Sequence, residues 1–112
     1  EMRRRSRNKF GNKKITIDGI NFPSLLQGRQ YQGLKLLQAS GQIFKLQHEV
    51  PFRLEIEGKL ICIYRADFVY EERDNPKVVI HEAKGKETAV FRLKWKLMKA
   101  LYPNFEYRLV FR

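Results

Sequence analysis

A chain of 112 residues has room for one hydrophobic core and not for two. No apolar run approaches the roughly 18 to 20 residues of a membrane-spanning helix, and the basic beginning lacks the apolar centre of a signal peptide, so a soluble, intracellular protein is expected. A net charge of +11, from 23 Lys and Arg against 12 Asp and Glu, points to a polyanionic partner, and a single cysteine, Cys62, rules out an internal disulfide or a cysteine-rich zinc site.

Seven of the cations, Arg3, Arg4, Arg5, Arg7, Lys9, Lys13 and Lys14, fall in the first 14 residues. Residues 1–14 therefore read as a flexible basic arm able to follow a phosphate backbone, and 15–112 as a single domain. Beyond the arm, 16 basic and 11 acidic residues still leave +5. Ile15-Thr16-Ile17 and Ile20-Asn21-Phe22 flank Asp18-Gly19, a favoured two-residue hairpin turn, and Pro23 ends the pair. Ser24, with Gln27 completing a capping box, predicts a helix to about Ser40 that stops at Gly41 and turns Leu26, Leu34 and Leu37 inward. Gly28 and Gly33 inside it suggest close packing or close backbone approach.

Ile43, Phe44 and Leu46 lead into an alternating strand after Pro51, carrying Phe52, Leu54 and Ile56, and Gly58-Lys59 reads as a turn. A long strand from Leu60 to about Glu71, a turn over 72–76 and a partner strand from Lys77 to Lys84 follow, broken by Gly85. Thr88 caps a second helix whose Val90, Phe91, Trp95, Leu97, Met98 and Leu101 recur at helical spacing. Arg92, Lys96 and Lys99 share one face of it, a spacing that suits either contact with DNA or solvent. Pro103 closes the helix, and Glu106 to Phe111 is the last strand. The order is that of an α/β sandwich around a mixed sheet.

The chemistry concentrates in the two adjacent strands. A turn centred between Asp74 and Asn75 sets Asp67 opposite Glu82, and Lys84, two residues on, shares the face of Glu82. Like charges directly opposed in a ladder destabilise it, so a cation between Asp67 and Glu82 is expected. Oxygen-only ligands suit Mg²⁺ or Mn²⁺ better than zinc, and His48 and His81 are too scattered for a zinc set. A lysine beside such a site can offset charge developing on a phosphate. The competing reading is a surface hairpin whose carboxylates are solvated or paired with Arg53, Arg65 or Lys84.

With Ala66-Asp67-Phe68 and Glu82-Ala83-Lys84-Gly85 on neighbouring strands between two helices, the chain resembles the PD-(D/E)XK nuclease superfamily. More narrowly it looks like the small phage-encoded members of that group, relatives of Holliday junction resolvases and of the TnsA-like transposon end nucleases. The likeness implies a restriction-endonuclease-like α-β-β-β-α-β core, here with a short hairpin and a basic arm in front. It also implies a cytoplasmic protein of a phage-infected bacterium that hydrolyses DNA phosphodiesters with Mg²⁺, on branched DNA and as a homodimer. By the same likeness Asp67 and Glu82 are metal ligands, Lys84 is catalytic, and the backbone carbonyl of Ala83 is a further ligand. Ala66 departs from the proline of the motif. Gln27 stands where related nucleases commonly carry a glutamate on the first helix, and a neutral amide is the poorer ligand. The resemblance leaves two alternatives: a DNA-binding module of this fold with weakened catalysis, and a transposase-like or restriction-type nuclease that processes DNA ends.

Overall fold

In the computed structural model, which describes residues 14–111, chain order is set by turns whose backbone only particular residues adopt cheaply. Strands β1 (Ile15–Ile17) and β2 (Ile20–Phe22) are joined by Asp18 and Gly19, both left-handed at φ 53° and 77°, the combination that matches the twist of a tight hairpin. Helix α1 (Leu25–Ala39) starts at Ser24, whose Oγ accepts the amide of Gln27 at 3.2 Å. It ends where Gly41, at φ 82°, lets its own amide reach the carbonyl of Gln38 and the amide of Gln42 that of Leu37.

Strand β3 (Ile43–Ile56) turns through Glu57 and Gly58 into β4 (Lys59–Glu72); β5 (Val78–Lys84), helix α2 (Ala89–Leu101) and β6 (Glu106–Phe111) follow. The four long strands make one mixed sheet in the order β3-β4-β5-β6, antiparallel except for the parallel pair β5 and β6. The sequence placed the β3–β4 turn one residue late: Glu57 and Gly58 carry the left-handed backbone, and Ile56 pairs with Lys59. It also began the strand after Pro51, whereas β3 runs through that proline. An outer strand tolerates a residue with no amide to donate.

Helices cover opposite faces. One cluster joins Tyr31 and Leu34 of α1 to Phe22, Ile43, Phe68, Tyr70 and Val79, with Ile15, Ile17 and Ile20 packed against it. The other joins Phe91, Trp95 and Met98 of α2 to Leu54, Tyr64, Ala66 and Ile80. Neighbouring Val79 and Ile80 belong to different clusters, as alternation along a strand requires. On β4 the alternation slips. Tyr64 and Ala66 face α2, whereas Phe68 and Tyr70, of the same parity, face α1, so the strand changes face at Asp67. On β3 the residue between His48, paired with Phe68, and Val50, paired with Ala66, is Glu49, with a left-handed φ of 51°. The bend is thus registered on both strands.

Leu37, expected inward, is 44 % exposed. With 100° per residue, the line through Tyr31 and Leu34 reaches Gln38 next, and it is Gln38 that turns in and accepts the amide of Leu46 at 2.9 Å. The rotation of α1 is fixed by Gly28, where an added Cβ would lie 2.7 Å from Cγ2 of Ile15 and 3.2 Å from Cδ1 of Ile17. Gly33 has nothing within 4 Å of the same position. The two glycines should therefore respond oppositely to one methyl group. Gly33→Ala is expected to stabilise by about 1 kcal/mol through helix propensity, and Gly28→Ala to destabilise by about 1–3 kcal/mol through overpacking. Urea midpoints of the two variants measure both.

Candidate metal centre

The β4–β5 ladder keeps the expected register, pairing Glu71 with Val78 through to Phe68 with His81, and stops there. The next step would be Asp67 with Glu82. Instead the side chain of Asp67 enters the ladder: Oδ2 accepts the backbone amide of Ala83 at 2.9 Å, while Oδ1 accepts Nε2 of Gln27 from α1 at 2.6 Å. Gln27 has therefore left the capping box, which is half formed, with Ser24 still accepting the Gln27 amide. Ala83 offers Asp67 its amide; a ligand role for its carbonyl rests on the resemblance alone.

Glu82 is only 3 % exposed. Its Oε1 accepts the phenol of Tyr64, and its Oε2 lies 3.4 Å from Nζ of Lys84. That ammonium also stands 4.4 Å from the centre of the Phe91 ring, so Lys84 is held between a carboxylate and an aromatic face. Burial and the charge of Glu82 push Asp67 up to about 7, against the opposing pull of the Ala83 amide, Lys84 and Gln27. Burial also raises Glu82, opposed by Tyr64 and Lys84. Burial and the neighbouring Glu82 raise the Tyr64 phenol, which stays a donor.

Two carboxylates are thus held side by side at an electrostatic cost that one divalent cation would remove. Among the described residues no group of three or more His, Cys, Asp and Glu is placed to hold a metal. The fit is to a hard cation that uses one or two carboxylates and completes its shell with water and substrate oxygens, which is how Mg²⁺ is usually held. Imidazole is not on offer. His81 lies on the α1 face, its Nδ1 2.8 Å from the Tyr70 hydroxyl and its Nε2 2.9 Å from Oε1 of Gln30. Burial and nearby Arg108 lower it to about 4, so the ring is neutral. Arg108 in turn bridges Glu72 and Glu106.

Sequence reasoning brought Asp67, Glu82 and Lys84 together but missed Tyr64. Strict alternation would turn Tyr64 away from Asp67, and only the slip at Asp67 returns it to Glu82. Of the expected DNA-binding residues, Arg3, Arg4, Arg5, Arg7, Lys9 and Lys13 lie outside the described residues. Lys14 is exposed just before β1. Arg92, Lys96 and Lys99 are exposed on α2, with Arg92 3.6 Å from Glu87 and Lys99 5.4 Å from the centre of the Trp95 ring.

A family profile described as "Protein of unknown function (DUF1064)" matches residues 7–112. The chain belongs to the DUF1064 family. No curated protein and no solved structure matches this DUF1064 chain. Its family match thus covers all the elements that build the centre, with no activity attached to them.

The raised Asp67 has a definite sign. Its folded-state value lies above the unfolded one, so its contribution to stability is present below about 4 and is lost as pH rises through about 7. Asp67→Asn should remove that loss. Without added metal the variant is expected to melt above the parent at pH 8, by roughly 4–8 °C per kcal/mol recovered, with the difference vanishing at pH 4. Calorimetry across that range checks the sign.

Proposed function

We propose that this chain is a Mg²⁺-dependent DNA endonuclease with the restriction-endonuclease-like core of the PD-(D/E)XK nucleases, acting on branched DNA such as four-way junctions. The observation that carries this reading is the convergence of Asp67, buried Glu82 and Lys84 at the point where β4 and β5 part. A structural hairpin has no need to oppose two carboxylates there.

Asp67 and Glu82 would hold the cation, with Mn²⁺ as a substitute; bound there, it supplies a Lewis acid for the phosphodiester oxygen and lowers the pKa of a coordinated water. The chain's own residues do the rest. Tyr64 and Lys84 fix the two oxygens of Glu82, and Gln27 and the Ala83 amide fix those of Asp67, so neither carboxylate has to reorganise when substrate arrives. Lys84, anchored over Phe91, places positive charge where a phosphate gains negative charge in the transition state. Cations outside the centre, namely Lys14 and Arg92, Lys96 and Lys99 of α2, supply sequence-independent attraction to the backbone, and the arm extends it. Paired incision of a junction calls for a homodimer, which adds a second copy of the centre.

One observation favours a second reading, a binding module slow to cut. The Gln27 amide occupies an oxygen of Asp67 with a neutral donor where a third carboxylate would complete a stronger cation site. Cleavage separates the two. With Mg²⁺ or Mn²⁺ the chain is expected to nick a four-way junction in preference to linear duplex, and Glu82→Ala to lower the rate by on the order of 100-fold or more with junction binding retained. Intact junction, flap and duplex DNA, unchanged by Gln27→Glu, sinks the enzyme reading. A second measurement concerns the metal itself. Isothermal titration with Mn²⁺ at pH 8 should show binding to the parent that is lost in Asp67→Asn, a variant expected to be folded and more stable at that pH.

A further inference from the structure

Beyond Phe68 and His81 the β4–β5 ladder stops, and the wedge between the strands is a pocket of about 320 Å³ closed on one side by α2. Its walls differ in chemistry. Two ammonium groups, Lys84 and Lys94, stand against one carboxylate, Glu82, which is already engaged by Tyr64 and Lys84. One turn before Lys94 on α2, Val90 leaves apolar surface open at the mouth, 64 % exposed, and β4 contributes its margin over 63–65. Lys94 is fixed at the rim, its Nζ donating to the Ile63 carbonyl at 3.1 Å. The volume lies at the lower end of the roughly 300–1,000 Å³ of small-ligand sites, sized for a single nucleotide and too small for a base pair.

We infer that this pocket takes one unpaired deoxynucleotide of the DNA strand, its phosphate toward Lys84 and Lys94 and its base against Val90. The inference rests on the nuclease reading for its biological meaning and deepens it. A strand reaches the centre only where a nucleotide is free to leave the stack, at a junction, flap or bulge, and extruding a base from intact duplex costs a few kcal/mol. Base contact with apolar side chains is tolerant of sequence, so selection is for structure and not for a base.

The test uses the full chain without metal. In ¹⁵N-labelled protein, dAMP is expected to shift the amides of Ile63, Arg65, Lys84 and Val90 in a saturable way, at least 10-fold more tightly than inorganic phosphate or deoxyadenosine. Val90→Trp, at an exposed position, fills the mouth and should weaken dAMP at least 10-fold. A duplex with one unpaired nucleotide should outbind its fully paired counterpart in the parent, and lose most of that advantage in Val90→Trp. Equal saturation by phosphate alone, dAMP shifts that map elsewhere, or binding untouched by Val90→Trp overturns the inference. Cleavage of DNA by a chain that ignores dAMP also overturns it and leaves the nuclease reading standing. Binding of dAMP in the pocket by a chain that cuts nothing supports the pocket and removes the nuclease.

Discussion

The hydrogen bond from the Ala83 amide to Asp67 is the contact on which the centre depends. A side-chain oxygen takes the place a backbone carbonyl would hold, and the two antiparallel strands part beyond Phe68 and His81. From that substitution follow the change of face along β4, the return of Tyr64 to Glu82 and the wedge beneath α2. The backbone at Glu49, left-handed on the strand alongside, records the same distortion from the other side. Strain of this kind persists only where the surroundings over-determine it, and a ladder on one side and two helices on the faces do so here.

Strand β5 is the axis of this arrangement because it is buried on both faces. Two consecutive residues serve two separate networks: His81 joins Tyr70 and Gln30 under α1, and Glu82 joins Tyr64 and Lys84 under α2. Every buried side-chain polar atom among the described residues has a partner. Helix α1 contributes through amides: Gln27, Gln30 and Gln38 lie along its inner line and reach Asp67, His81 and the Leu46 amide. Neutral groups of this length span the gap between helix and sheet without adding charge to an interior that already holds two carboxylates.

Much of the fold was legible because its punctuation is local. Asp18-Gly19, Ser24, Gly41, Thr88 and Pro103 each act within a turn or a cap, and the element order follows from them. The register that sets Asp67 beside Glu82 was legible for the same reason, since it depends on one turn. What stayed hidden was set by distant packing. The continuation of β3 through Pro51 depends on that strand lying at the sheet's border. The exposure of Leu37 depends on Gly28 seating α1 against the small hairpin. Tyr64 was hidden because period two is a property of regular strands, and the centre lies where regularity ends.

The outer strand β3 has one more consequence. Pro51 withholds an amide from it, and Lys45 and Glu49, at φ 56° and 51°, twist two further points of its length out of the extended conformation. A border interrupted in this way cannot template another strand along its whole run. Strand addition on that side is interrupted, so the irregular border itself guards this sheet against edge-to-edge pairing.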